Sequence, residues 1–132
     1  MLLILEQQTD LLDSIRRMTN GRFDFGSAHT VEEVVKLKEK ASVAMVLLGL
    51  GSFGSDKGLH LIRQLRESEA LKSIPIIAVL PEADPHLKAE SLLSGCTTFV
   101  IEPLDRDGVL AVVSEVLGIA GQTLVRISAP AE

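Results

Sequence analysis

Ile74-Pro75-Ile76-Ile77-Ala78-Val79-Leu80 is the stretch that decides the fold. It is a short apolar run with no polar residue between its ends, followed by Pro81 and then by Asp84-Pro85. A strand with one wet face alternates apolar and polar. An unbroken run of this length, bounded by turn residues, suits a strand covered on both faces, as in a parallel sheet.

The same kind of run recurs on both sides of it. Leu2–Leu5, Val43–Leu48 and Phe99–Ile101 are apolar, and Phe23–Ser27 is a weaker version. The segments between them carry helical spacing. Leu11, Leu12, Ile15 and Met18 repeat at three and four, with Thr9 as the expected cap and Gly21 as the expected stop. Thr30-Val31-Glu32-Glu33 reads as a capping box, with Val34, Val35 and Leu37 behind it. Leu59, Ile62 and Leu65 mark a third helix, for which Asp56 is the expected cap. Asp84-Pro85 opens a fourth and Gly95 closes it. Asp105 starts a fifth, which carries Val109, Val112, Val113, Val116 and Leu117 and is expected to stop at Gly118.

Strand and helix therefore alternate five times. That order predicts a parallel sheet with right-handed crossovers and helices on both faces: a three-layer, doubly wound (βα)5 α/β sandwich. The five strands are expected in the order 2-1-3-4-5, the flavodoxin-like arrangement. The domain is expected to span 1–118. Residues 119–132 read as a C-terminal tail or linker, or as the first strand of a further domain, since Thr123–Ser128 alternates weakly.

Composition narrows the function. The 132 residues are 46% hydrophobic and 23% charged, which is globular. A net charge of −5 with scattered basic residues speaks against nucleic-acid binding by this domain alone. The apolar runs are too short to span a bilayer, and a cytoplasmic protein is expected. Cys96 is the single cysteine, so no internal disulfide forms, and it is expected to be a buried hydrophobe. Three scattered histidines give no metal-ligand spacing, so neither a metal nor another cofactor is expected.

In such sheets ligands meet the carboxyl ends of the strands at the point where strand order reverses. The residues placed there are Glu6-Gln7-Gln8, Gly49-Leu50-Gly51, Leu80-Pro81 and Glu102-Pro103. The segment Ser94-Gly95-Cys96-Thr97-Thr98-Phe99-Val100-Ile101-Glu102-Pro103-Leu104-Asp105, with Ile74–Leu80 and Met45-Val46-Leu47-Leu48-Gly49-Leu50 before it, resembles the response-regulator receiver family in the spacing of its blocks. The resemblance covers about residues 1–118.

The departures from that family are specific. Its acidic pair after the first strand stands here as Glu6-Gln7. Its phosphate-accepting Asp aligns with Gly49 or, allowing for a longer loop, with Leu50. Its hydroxyl residue is Leu80 and its lysine is Glu102; only the following proline, Pro103, is kept. Aspartyl phosphorylation needs a carboxylate nucleophile, and magnesium needs several oxygen ligands. An acid in place of the lysine reverses the sign of a term worth roughly several kcal/mol for charges about 4 Å apart at an effective dielectric of about 20.

The resemblance thus implies a non-phosphorylatable pseudo-receiver, without enzymatic activity, that acts in signal transduction by docking to a protein partner or to a second copy of itself. The face that receivers use for this purpose corresponds here to His86, Glu90, Phe99, Leu104 and Arg106, together with Glu102. Phe99 is expected to be a fixed part of the core. Two other readings stand beside this one. The cleft could bind a small molecule or nucleotide through Gly51, Ser52 and Glu102, or Glu6 and Glu102 could form an acid–base pair. The plainer reading of those two acids is a solvated strand-end rim. The glycines of the loop 49–55 are expected to supply unusual backbone angles, with Phe53 either a contact point or folded inward.

Overall fold

The unbroken apolar runs fold as fully covered strands: β1 (Leu2–Leu5), β3 (Met45–Gly49) and β4 (Ile76–Leu80) are buried at every position. The two less apolar runs become the edges, β2 (Phe25–Ala28) and β5 (Thr98–Ile101), each only partly covered. All four pairings are parallel and the sheet order is β2-β1-β3-β4-β5. This is the expected doubly wound sandwich. The computed structural model describes residues 1–121.

Because successive side chains point to opposite faces, each central strand feeds two cores. Leu3, Leu5, Val46, Leu48, Ile76 and Leu80 meet α2 (Val31–Lys40), α4 (Ser55–Glu67) and α5 (Pro85–Ser94) through Val34, Ile62, Leu65 and Leu87. Leu2, Ile4, Met45, Leu47, Ile77 and Val79 meet α1 (Asp10–Thr19) and α6 (Arg106–Gly121) through Leu12, Ile15, Val109 and Val113.

The helix ends show how local chemistry places these elements. Thr30 Oγ1 accepts from Glu33 N at 3.1 Å, as the capping box predicts. Glu33 Oε1 in turn accepts from the N–H of His29, one residue ahead of the cap. Asp84 accepts from His86 N at 2.9 Å, and Asp105 from Gly108 N at 2.6 Å. At the end of α1 the left-handed turn begins at Asn20 (φ 51) and continues through Gly21 (φ 73).

Four expectations are corrected. Thr9 occupies the N-cap position of α1 but its side chain makes no capping bond. Asp56 lies inside the first turn of α4, behind Gly54, and caps nothing. The loop after β3 is instead a short helix, α3 (Leu50–Phe53), and only Gly54 in it has a positive φ, of 90°. The last helix runs through Gly118 to Gly121, because a glycine without a left-handed turn weakens a helix but does not end it. Residues 122–132, which include Thr123–Ser128, lie outside the described residues.

Candidate functional site

The strand register brings the sequence-predicted residues to one end of the sheet. Leu5 is level with Ala28 and Leu48, so Glu6 and Gly49 stand side by side just beyond. Gly49 pairs with Val79, and Leu80 with Ile101, which puts Glu102 on the same rim. Glu102 N donates to Leu80 O at 2.9 Å, and the Glu102–Pro103 peptide is cis.

Glu6 is not a solvated rim acid. It is 2% exposed. Its Oε1 accepts from Leu11 N at 3.0 Å and its Oε2 from Leu12 N at 2.9 Å. The carboxylate therefore does the capping that Thr9 leaves undone, satisfying two of the unpaired N–H groups in the first turn of α1 with a charge that suits the helix dipole. Sequence reasoning missed this role. The available signal was an acid four residues ahead of a helix start, too far for an ordinary cap and within reach only once the β1–α1 turn is known.

The crest of β3 is filled rather than open. A Cβ added to Gly49 would stand 3.2 Å from Leu11 Cδ2 and 3.5 Å from Glu6 Cβ. Leu50, the other position matching an acceptor, is fully buried and packs onto Gly58, where an added Cβ would meet Leu50 Cδ1 at 2.5 Å. Leu80 is fully buried as well. Ser52 Oγ accepts from Gln7 N at 3.1 Å and donates to Gly49 O at 2.9 Å, tying the ends of β1 and β3 together. Gln7 itself is exposed.

Glu102 is exposed, and its Oε1 lies 3.8 Å from the position a Cβ on Gly51 would take, beside Pro81. The magnesium ion and phosphoryl group that receivers handle do not fit this donor set. Both oxygens of Glu6 are engaged by backbone N–H groups, Gly49 and Leu50 supply no oxygen from a side chain, and Glu102 brings negative charge to the remaining corner. Among the described residues no three His, Cys, Asp or Glu side chains gather as a metal site.

The residues expected to form a docking face lie on α5, on β5, in the turn after it and at the start of α6. His86, Glu90 and Arg106 are exposed, and Phe99 and Leu104 are half-buried. Phe99 is thus not sealed in the core. Its ring packs against the core from one side and lies 5.8 Å from Lys88 Nζ on the other. β5 pairs with β4 alone, and a groove of about 320 Å3 runs along its free edge, lined by Phe99, Val100, Ile101, Pro103, Leu104 and Val112 among others.

α5 presents a reversed polarity. It buries Ser91 and Ser94 with Leu87, yet leaves Leu92 46% and Leu93 87% exposed. Ser91 Oγ donates to Leu87 O at 2.7 Å, while buried Ser94 Oγ has no partner among the described residues. Leu92 and Leu93 went unnoticed in the sequence because a Leu-Leu pair inside a helix reads as core. The sign was there in the serines at 91 and 94, which share the stripe of Leu87 at four and seven.

Among the described residues, two groups with displaced titration, Cys96 and Arg66, lie at the opposite end of the sheet. Burial pushes the Cys96 thiol up to about 11, against the smaller pull of nearby Arg66. Burial also lowers the pKa of Arg66. The Arg66 guanidinium donates to Gly95 O at 2.7 Å, to Leu71 O at 3.2 Å and to Ile74 O, clasping α4 to the turns before β4 and β5. Cys96 is 7% exposed, the buried hydrophobe expected of it.

No protein-family model matches the chain, and no curated protein matches it. Solved structures do. A putative response regulator from Chloroflexus aurantiacus J-10-fl superposes with a TM-score of 0.75 at 19% identity, over 88% of this chain and 95% of that one. The signal receiver domain of a signal transduction histidine kinase from Syntrophus aciditrophicus gives 0.74 at 19% identity, over 96% of each chain. The Vibrio cholerae chemotaxis protein CheY4 gives 0.73 at 16% identity, over 87% of this chain and 96% of that one. At such identities the likeness is one of architecture, and by it this chain has the receiver fold.

Proposed function

We propose that this chain is a pseudo-receiver: a non-enzymatic signal-transduction module that has lost the phosphoryl chemistry of the receiver fold and works by docking to a protein partner. The observation that carries the proposal is the state of the β3 crest. The position of an acceptor carboxylate holds Gly49 or buried Leu50, and the acid beside it, Glu6, is consumed in holding α1. Without a nucleophile or a set of metal ligands, phosphorylation is not a workable switch.

Docking is supported by the α5–β5–α6 edge. A soluble helix that buries serines and exposes Leu93 is at odds with folding alone, and it makes sense where another protein covers the leucines. β5 adds a free edge and a groove between it and α6. His86, Glu90 and Arg106 supply a polar rim of mixed sign, in keeping with the anatomy of protein interfaces. A second copy of the chain is one partner this surface would accept. The described residues include no helix long and apolar enough to cross a membrane.

The test has two arms. Acetyl phosphate or beryllofluoride with Mg2+ is expected to leave the amide NMR spectrum of the protein unchanged. Saturable shifts at Gly49, Leu50 and Glu102 would end the pseudo-receiver reading. Leu93→Asp is expected to abolish capture of partners from the source cell extract while leaving the fold intact. Unaltered capture would remove the α5–β5–α6 edge as the docking face.

A further inference from the structure

A second cleft borders the β3 crest on its β2 side, away from the docking edge. It opens to solvent between α2 and α4, beyond the carboxyl ends of β1 and β2, with a volume of about 620 Å3. That volume is in the range of sites for small organic ligands, roughly 300–1,000 Å3. Its walls carry three side-chain amides, Gln7, Gln8 and Gln64, with the Phe53 ring, the Lys57 ammonium and the Glu32 carboxylate.

Two features show that the walls are set in place. His29, also in the lining, is anchored through its ring: Nδ1 meets Glu6 O at 2.8 Å. A carbonyl oxygen only accepts, so Nδ1 carries the proton in this contact. The backbone of Gln7 is held by Ser52 Oγ at 3.1 Å. Phe53 packs inward against the core, with Lys57 Nζ 5.9 Å from its ring centroid.

Apart from the Lys57 ammonium, which rests over the Phe53 ring, the polar groups of the lining are free for a ligand. Among the described residues the amides of Gln7, Gln8 and Gln64 make no hydrogen bond, and the one ion pair, Lys72–Glu69, is elsewhere, so Lys57 and Glu32 have no charged partner there. We propose that this cleft is a binding site for a purine nucleoside monophosphate. A glutamine amide matches the N6–N7 edge of adenine with one donor and one acceptor. A carboxylate is the usual partner of ribose hydroxyls. An ammonium serves the phosphate, and the phenyl ring gives the base an apolar wall. One lysine on a protein of net charge −5 favours a monophosphate over the higher charge of a triphosphate.

The site is independent of the docking face, so the two readings stand or fall separately. The experiment is a titration of the 15N-labelled full chain with AMP, adenosine and inorganic phosphate, each to millimolar concentration, followed by amide NMR. AMP is expected to give saturable shifts at Gln7, Gln8, His29 and Lys57. Adenosine should bind about tenfold more weakly, and phosphate alone should give no saturable shift, since one charge-assisted contact adds to those of the nucleoside. Lys57→Gln is expected to remove that tenfold advantage of AMP over adenosine, both measured on the same variant. The proposal is overturned by an absence of saturable shifts with AMP, by shifts centred on Gly51 and Glu102, by an equal response to phosphate alone, or by an AMP affinity that Lys57→Gln does not change.

Discussion

Replacing Glu6 by Gln tests the central point, that this acid holds α1 and is not a metal ligand. Glu6 is 2% exposed and takes two backbone N–H bonds, from Leu11 at 3.0 Å and Leu12 at 2.9 Å. Glutamine keeps one oxygen, so one bond survives as a neutral one. The other N–H then faces the amide NH2, donor against donor, in a place that water does not reach. Loss of a hydrogen bond to a charged group costs about 1.5–3 kcal/mol, and loss of the anion at the helix N-terminus about 0.3–1 kcal/mol more. The sum is a destabilisation of about 2–4 kcal/mol. For a chain of 132 residues that corresponds to a fall in Tm of roughly 10 °C. Urea unfolding monitored by circular dichroism measures it, with the m-value expected to stay constant because the same surface is exposed. A magnesium ligand would behave in the opposite way: neutralising it would leave the metal-free protein as stable as before or more so. A loss below about 0.5 kcal/mol, the size of an ordinary surface substitution, would refute the capping role.

The remaining predictions concern other parts of the molecule. Gly58→Ala would gain helix propensity, but its Cβ would stand 2.5 Å from Leu50 Cδ1 and 3.3 Å from Leu50 Cα, so the net effect is expected to be a loss of about 1–3 kcal/mol in chemical denaturation; a stabilised variant would show that α3 yields freely. The Cys96 thiol, raised from 9.0 to about 11 by burial, favours the folded state fully below pH 9.0, and this contribution is lost as pH rises toward 11, where the thiol of the unfolded chain ionises first. Stability measured across that window should therefore decline more steeply in the native protein than in Cys96→Ala, and parallel profiles would contradict it. Leu93→Asp, at a side chain 87% exposed, should change folding stability by less than about 0.5 kcal/mol, and a larger loss would mean that α5 packs differently from the seating described above.

The sequence by itself determined the architecture. Apolar runs such as Ile76–Leu80 lack any polar face, and the helices between them announce their ends through Thr30, Asp84, Gly95 and Asp105, so alternation, parallel pairing and strand order follow from local periodicity and the handedness of crossovers. It also placed Glu6, Gly49, Leu80 and Glu102 at one end of the sheet, because strand ends are countable. What those residues do there was decided only by tertiary structure. Whether Glu6 faces solvent or reaches the amides of Leu11 and Leu12 depends on the path of the β1–α1 turn, and whether Leu50 lines a loop or fills the core depends on Gly58, eight positions on. The reversed polarity of α5 has the same origin: periodicity assigns leucines to the interior, and only the packing of α5 on α4 and the sheet reveals that Ser91 and Ser94 took that place. Burial is a property of neighbours distant along the chain, and a local pattern cannot carry it.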